Sequence, residues 1–349
     1  MSREIGVAVV GTGFVASMHL TALARLPGVR VVGVVDVDPG RGQAAARGAG
    51  TRWTSSLDEL LAWPDVDGCI VCTPNDTHAA IGQSIAAAGK HLLMEKPLTT
   101  DVAAADSLVS AFSARGLVLM AAHTHRFADY GRIVKHTIDA GEIGRPVFIR
   151  LAILGGWIWP DWRAWVLDPK RSGGHVFHNG VHVLDLATWW AGDQPVSVYA
   201  QGRKETSGDL AIYDYLSLLV RYRSGCTAVC EISRGNRPRT FGYRDVFVQG
   251  TTGSLSMPWD AEQGIAFLEG GTSLLPGDGQ VGFDREVAAW ISAIRGETLP
   301  AVTGEDGRLS VAMAAAGEAS LRTGECVTLE SVGYTLPNPV ASEGVSRAL

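Results

Sequence analysis

Two glycines and an alanine near the start of the chain have a spacing that can serve ligand binding. Gly11, Gly13 and Ala16 lie in GTGFVA, directly after the apolar run 5–10. Gly11 permits a tight turn, Gly13 lets the backbone approach a pyrophosphate, and Ala16 lets a helix pack closely on a strand. The positive end of that helix would face the phosphates, so the pattern predicts a dinucleotide site. The expected contacts are Gly11, Thr12, Gly13, Phe14 and Val15.

An acidic residue follows at the distance that such a site requires. Asp36 lies 20 residues beyond Ala16, at the end of the next apolar strand, 31–35. A carboxylate at this position accepts hydrogen bonds from the ribose hydroxyls and repels a 2′-phosphate. We therefore predict NAD as the cofactor and consider NADP less suited, although Arg41 offers a positive charge for a 2′-phosphate.

A lysine stands where a third predicted strand ends. Glu95, Lys96 and Pro97 follow the apolar run 91–94, and open α/β sheets bind ligands beyond the carboxyl ends of their strands. An ammonium group there can donate to a substrate oxygen and stabilise developing negative charge. A lone lysine in a surface turn is the alternative, and Pro97 is a candidate for a cis peptide bond.

Three histidines and an aspartate are concentrated in SGGHVFHNGVHVLD, residues 172–185. His178 and His182 are four residues apart and share one helix face if the helix has begun by then. Asp185 is three residues beyond His182 and could orient its imidazole. Histidines buried in the core are the alternative reading. A metal pair is a further one, although no HExxH pattern is present and we predict no metal.

The elements that position these residues fall into two groups. Strands and helices alternate up to about residue 122, which predicts an α/β fold with an N-terminal Rossmann-type, doubly wound parallel sheet over 1–122. Beyond it, strands at 196–202, 212–222, 226–233 and 243–250 with short turns predict a second α/β domain, 123–337, with a large, mostly antiparallel open sheet. Residues 338–349 are a small, polar tail.

The composition excludes several classes of protein. A net charge of −6 without a basic stripe argues against nucleic acid as the partner. No apolar run reaches the ~20 residues that span a bilayer. The first residues lack the succession of charged, apolar and small residues that is typical of a signal peptide. Cys69 and Cys72 lie in an apolar run, which favours buried, reduced thiols. We therefore expect a cytoplasmic protein without a membrane partner.

Taken together, these motifs resemble those of the Gfo/Idh/MocA family of oxidoreductases, and the resemblance covers nearly the whole chain. It rests on GTGFVA, Asp36, CTPNDTH at 72–78, EKP at 95–97, the segment 165–185 and the late segment 303–329. It implies an NAD-dependent enzyme that oxidises a secondary hydroxyl of a sugar, cyclitol or sugar derivative. It also implies a homodimer or homotetramer formed through the C-terminal sheet.

The resemblance also implies roles for single residues. Lys96 and His182 match the catalytic lysine and histidine, and further cofactor contacts are expected from Thr73, Pro74, Asn75, His78, Glu95 and Lys96. The matching motif usually has an aspartate four residues before the histidine, where this chain has His178. That imidazole could act as a second acid or base, or donate to a sugar hydroxyl.

The substrate is expected to lie among histidine, arginine and tryptophan side chains. Tryptophan rings pack well on the apolar face of a sugar. The arginines at 234, 237 and 239 could bind an acidic substrate group, although solvated or structural roles are favoured for them. The residues predicted to contact substrate are His123, Arg126, Trp157, Trp159, Trp162, Arg163, His178, Asn179 and His182.

Two other functions fit part of the pattern. An NAD-dependent glycosidase would oxidise its substrate transiently, eliminate the aglycone, add water and reduce again, and a second acid or base such as His178 would suit it. A non-catalytic NAD-binding regulator would be expected to have lost the lysine or the histidine, and both are present here.

Overall fold

The computed structural model describes residues 3–155, 165–204, 210–237, 241–258, 263–268, 271–276 and 282–335. These residues form a six-stranded and a nine-stranded sheet, with helices packed against both. The described part of the chain includes no helix that is both long and apolar enough to cross a bilayer.

The first sheet is parallel throughout, as the alternation of strands and helices predicts. Its strands are β1 (Ile5–Val10), β2 (Val29–Val35), β3 (Arg52–Thr54), β4 (Gly68–Val71), β5 (His91–Glu95) and β6 (Leu119–Ala122). Its helices are α1 (Phe14–Arg25), α2 (Pro39–Ala49), α3 (Leu57–Leu61), α4 (His78–Ala87) and α5 (Val102–Ser113). The strand order β3-β2-β1-β4-β5-β6 reverses between β1 and β4, which opens a crevice at their carboxyl ends.

The second sheet is mixed and mostly antiparallel. Its strands are β7 (Pro146–Gly155), β8 (Pro195–Arg203), β9 (Tyr215–Tyr222), β10 (Thr227–Ser233), β11 (Gly242–Gly250), β12 (Gly253–Pro258), β13 (Gln263–Leu268), β14 (Gly271–Pro276) and β15 (Val327–Thr328). The order is β14-β13-β12-β11-β7-β10-β9-β8-β15, and β7 pairs with β10 in parallel. The central strand β7 is absent from the predicted strands; its residues 151–153 are all buried.

Helices that follow the first sheet along the chain connect the two sheets. They are α6 (Asp129–Asp139), α7 (Pro169–Ser172), α8 (Val181–Ala191), α9 (Gly282–Ile294) and α10 (Gly304–Thr323). A capping box between Thr303 and Asp306 starts α10, which packs on β8 and also on α5 and β6, while α9 packs on α1. Elements beyond residue 280 therefore complete the layers around the first sheet, and the division 1–122 and 123–337 stays a prediction. The tail 338–349 lies outside the described residues.

Candidate active site

The glycine turn after β1 leaves open space at the start of α1. Gly11 has φ of +84°, and a Cβ on it would lie 2.8 Å from the Cys72 carbonyl oxygen, so no larger residue fits there. A Cβ on Gly13 would have nothing within 4 Å. Helix α1 has neither a side-chain cap nor an acidic residue in its first turn, so its N–H groups are available to an anion. Phe14 at its first position is 85% exposed.

The Asp36 carboxylate connects this turn to the end of β2 through hydrogen bonds. Its Oδ2 accepts hydrogen bonds from the Thr12 N–H at 2.9 Å and the Thr12 hydroxyl at 2.7 Å. Its Oδ1 accepts from the Asp38 N–H at 2.8 Å and from the Arg41 guanidinium at 3.1 Å. Burial raises the pKa of Asp36, but the hydrogen bonds from Thr12, Asp38 and Arg41 outweigh burial and hold the pKa below its ordinary value. The open turn, the uncapped helix and this anionic carboxylate together fit a dinucleotide.

The segment after β4 is held to its neighbours largely by backbone carbonyls. The His78 imidazole is fully buried and contacts the Pro97 carbonyl at 2.7 Å and the Thr73 carbonyl at 3.0 Å. The Asn75 amide donates to the Ser172 carbonyl at 2.8 Å, which links the two halves of the chain. His78 and Asn75 therefore position the loops around the crevice, and Thr73 and Pro74 stay predicted as its direct cofactor contacts.

Lys96 extends from the end of β5 to the second half of the chain. Its Nζ donates to the His178 carbonyl at 2.9 Å, and the Lys96–Pro97 peptide bond is cis. Burial lowers the pKa of Lys96 to about 8; Glu95 opposes this effect and Arg234 adds to it. The Glu95 carboxylate is itself buried and accepts a hydrogen bond from His19 at 2.8 Å. Lys96 is thus a cation with a readily lost proton at the carboxyl edge of the sheet.

The catalytic histidine predicted from the sequence lies just after an irregular turn. Residues 176–180 form a π-helical turn, and α8 begins at Val181, so the α-helix has not yet begun at His178. The His182 ring meets the His125 ring edge to face, with centroids 4.3 Å apart. Burial, followed by the charges of Lys96 and His125, holds the pKa of His182 well below its ordinary value. His182 is therefore neutral at pH 7 and able to accept a proton.

Asp185 does not orient His182, so that prediction is wrong. Its carboxylate accepts two hydrogen bonds from Arg126, at 2.8 and 2.6 Å, and its Oδ1 lies 3.7 Å from His123 Nε2. Arg126 also reaches Asp306 at 3.3 Å, and His123 contacts the Ser310 hydroxyl at 3.1 Å. The side chains of this cluster are buried, except for that of Asp306, which is partly exposed. Arg126 and His123 therefore connect α8 to α10, and substrate contact by either one stays a prediction.

His178 and Asn179 occupy the middle of the π-helical turn. The His178 ring packs edge to face on Trp165, with centroids 5.4 Å apart, and burial, followed by Lys96 and Arg234, holds its pKa well below the ordinary value. The Asn179 Oδ1 accepts a hydrogen bond from the Arg234 guanidinium, which stands just after β10. Arg234 is thus partly buried beside the site.

Four predicted substrate contacts, Trp157, Trp159, Trp162 and Arg163, lie outside the described residues, as does Arg239. A residue without any local signal also shapes the site. The Glu318 Oε1 accepts a hydrogen bond from the Val176 N–H at 2.9 Å, where the π-helical turn begins. Because Glu318 is 142 residues beyond Val176, sequence spacing could not indicate this contact. No group of three side chains suited to a metal ion occurs in the described part of the chain.

Two family models match the chain. The model of the oxidoreductase family with an NAD-binding Rossmann fold matches residues 5–123, and the GFO/IDH/MocA C-terminal domain matches residues 132–256. The chain belongs to the GFO/IDH/MocA oxidoreductase family. The predicted fold, the NAD cofactor and the class of enzyme, a dehydrogenase acting on CH–OH groups, are thereby confirmed.

Relatives of this GFO/IDH/MocA protein match it over nearly its full length. It is 30% identical to a 1,5-anhydro-D-fructose reductase from Ensifer adhaerens, over 92% of this chain and 98% of that protein. It is 28% identical to an inositol 2-dehydrogenase from Rhizobium meliloti (strain 1021), over 89% and 95%. The crystal structure of GenD2 from gentamicin A biosynthesis, in complex with NAD, superposes with a TM-score of 0.83 at 26% identity, over 94% and 97%.

Proposed function

We propose that this oxidoreductase uses NAD to oxidise a secondary hydroxyl of a sugar, cyclitol or sugar derivative, with Lys96 and His182 as its catalytic pair. One contact carries the proposal. The Lys96 Nζ donates a hydrogen bond to the His178 carbonyl, four residues before His182. This bond holds the ammonium group of Lys96, which follows the first sheet, at the turn that comes just before His182. The names of the reductase and inositol dehydrogenase relatives support the substrate class.

The protein's own groups divide the work of the reaction. Bound NAD supplies the acceptor for a hydride from the carbon that carries the hydroxyl. Neutral His182 accepts the hydroxyl proton as a general base. Lys96 donates a hydrogen bond to the same oxygen and stabilises its negative charge.

The remaining predicted contacts divide between the two ligands. For the dinucleotide we propose Gly11, Thr12, Gly13, Phe14, Val15, Asp36, Thr73, Pro74 and Lys96, with Asn75, His78 and Glu95 as supports. For the substrate we propose the side chains that lie around the π-helical turn. They are His178, Asn179 and His182.

A panel assay tests the proposed function. NADH formation is measured with inositols, aldoses, glycosides and sugar acids, for the wild type and for Lys96→Ala. We expect NADH from at least one member, a loss of orders of magnitude in the variant, and retained NADH binding by fluorescence titration. Equal turnover by the variant would refute the role of Lys96. If the enzyme releases the aglycone of an aryl glycoside with a catalytic amount of NAD and no NADH accumulates, it is the glycosidase instead. Inactivity on every member of the panel would favour the non-catalytic regulator.

We also propose a homodimer or homotetramer formed through the outer face of the second sheet. Tyr199 and Leu219 pair across β8 and β9 and are 37% and 39% exposed, and Leu219 pairs with Val229 on β10. An exposed apolar row of this kind is typical of an interface. Light scattering is expected to show an oligomer for the wild type and a smaller species for Leu219→Asp. A monomeric wild type would contradict the proposal.

A further inference from the structure

The π-helical turn, 176–180, is held at its start by a residue of α10. The Glu318 Oε1 accepts a hydrogen bond from the Val176 N–H at 2.9 Å. His175, at the N-cap of the turn, makes no side-chain cap hydrogen bond. The Glu318 carboxylate therefore takes the place of a cap, and its charge suits the positive end of a helical turn.

Two glycines let α10 approach the turn closely enough to make this contact. Gly174 has φ of +104°, and a Cβ on it would overlap the Glu318 carboxylate, which fills the space that any other side chain at 174 would need. A Cβ on Gly317, the preceding residue of α10, would lie 3.0 Å from the Cγ1 of Val176, which is fully buried. The turn therefore packs directly on α10 at the point where Glu318 bonds to it.

The middle of the same turn is attached to a proposed catalytic residue. The Lys96 Nζ donates to the His178 carbonyl at 2.9 Å, and α8, which carries His182 at its second position, begins directly after the turn. The position of the turn therefore determines where the ammonium group lies relative to the imidazole. A displacement of about 1 Å at a site of this kind can lower the rate by about 10²-fold.

Glu318 also lines a cavity of about 400 Å³ between α10 and α5. The other charged residues that line it are Arg322 of α10, Asp101 and Asp106, and its remaining lining residues are uncharged. Asp101 caps α5, and Asp106 pairs with Arg308. Asp101 and Arg322 are exposed, so the cavity reaches solvent and a proton can reach Glu318 without passing through the active site.

The surroundings of Glu318 bring its ionisation close to neutral pH. Burial raises the pKa of Glu318 to about 7, although the hydrogen bond from Val176 and the charge of Arg322 oppose the rise. His175, beside the turn, is neutral because burial lowers its pKa to about 3. An ionised carboxylate accepts a charge-assisted hydrogen bond, which is stronger than the bond that a protonated carboxyl group accepts.

We propose that Glu318 is a positioning residue of the active site. Through the Val176 N–H it holds the π-helical turn, and with it Lys96, in the reactive arrangement, and protonation of its carboxylate loosens this hold. The effect on turnover rests on the proposed function, whereas the hold on the turn can be tested without a substrate.

Hydrogen–deuterium exchange of the apoprotein tests the hold on the turn. Glu318→Leu removes the acceptor, so the amides of 174–182 should exchange at least about tenfold faster than in the wild type. Ser320→Ala is the matched control, because the buried Ser320 hydroxyl of α10 accepts from the Ala200 N–H of β8 at 2.8 Å. Exchange over 174–182 should be unchanged in this control. Unchanged exchange in Glu318→Leu would overturn the inference, whatever the substrate proves to be.

Turnover separates a positioning role from a purely structural one. With a substrate identified by the panel, Glu318→Leu should lower kcat at least about tenfold and keep its NADH affinity within about twofold, whereas Ser320→Ala should keep both within about twofold. An equal loss of kcat in Ser320→Ala, or an equal loss of NADH affinity in Glu318→Leu, would overturn the positioning role. If the wild type turns over no member of the panel, the proposed function fails, and the exchange measurement alone decides whether Glu318 holds the turn.

A pH profile tests the protonation step, and Glu318→Gln covers the case in which Glu318→Leu does not fold. The glutamine oxygen can still accept from the Val176 N–H but is uncharged, as in a protonated carboxyl group. The ratio of wild-type kcat to that of Glu318→Gln cancels the titration of Lys96 and His182, which both enzymes share. This ratio should rise from about 1 at pH 5.5 to about 3–10 at pH 8.5. A ratio that does not change with pH would overturn the inference.

Discussion

Replacing Lys96 by methionine should abolish turnover and at the same time stabilise the apoprotein. Burial lowers the pKa of this lysine from an ordinary value of 10.5 to about 8. The folded state therefore binds the proton less tightly than the unfolded state does. By linkage, the ammonium costs about 3 kcal/mol of unfolding free energy at pH 7 and about 1 kcal/mol at pH 10, because the unfolded lysine is still mostly charged at that pH.

The sign of the pH dependence follows from the lowered pKa. Between about pH 8 and 10.5 the unfolded chain holds more protons, so this lysine makes the wild type gain stability as the pH rises. Methionine has no proton to lose and occupies a similar volume. The difference in unfolding free energy between Lys96→Met and the wild type should therefore fall by about 2 kcal/mol from pH 7 to pH 10.

Urea unfolding without cofactor, at both pH values, measures this difference. Lys170→Met is the matched control, since Lys170 is exposed just after Pro169 at the start of α7. Its difference from the wild type should be the same at both pH values. If Lys96→Met is less stable than the wild type at pH 7, or if its difference does not change with pH, the ammonium is not desolvated as described and the reasoning fails.

Three further outcomes are expected. Asp36→Ala should shift the preference in kcat/KM from NAD towards NADP by at least about tenfold. The substitution removes a charge that repels a 2′-phosphate, and it releases Arg41 to bind that phosphate. An unchanged ratio of kcat/KM for the two cofactors would contradict this role of Asp36. His182→Asn should lower kcat by about 10²- to 10⁴-fold with NADH affinity unchanged, as loss of a general base predicts, and a small loss would assign the proton to another group. Arg126→Met should lower the unfolding free energy by about 3–5 kcal/mol, because it leaves the buried carboxylate of Asp185 uncompensated; a near-neutral effect in thermal unfolding would show that this carboxylate takes up a proton instead.

The dinucleotide half of the site is readable from the sequence because its determinants are local. Gly11, Gly13 and Asp36 lie within one β-α-β unit, and strand, turn and helix follow one another without a long connection. The alternation of strands and helices then places the carboxyl ends of the parallel strands at one edge of the sheet. The same reasoning found the helices of the first sheet and five of its six strands, missing only the short edge strand β3, and placed Lys96 at the carboxyl edge.

The second sheet was less readable. The central strand β7 has three successive buried residues at 151–153 and pairs in parallel with β10, about 80 residues further along the chain. A pairing across so many residues is not marked by a short turn, as the pairing of a hairpin is. The π-helical turn before α8 has no marker in the sequence.

The amino-acid sequence by itself determined the family and the cofactor, and it predicted the pair Lys96 and His182, because each depends on residue types in short motifs. Only the tertiary structure decided which charges meet. It paired Asp185 with Arg126 and not with His182. It also placed Lys96 and Arg234 in hydrogen bonds to neighbouring residues of the π-helical turn. It also placed Glu318 against that turn from 142 residues away. Such pairings form between elements that are distant along the chain, and electrostatic energies depend on distance and burial in the folded molecule, not on sequence spacing.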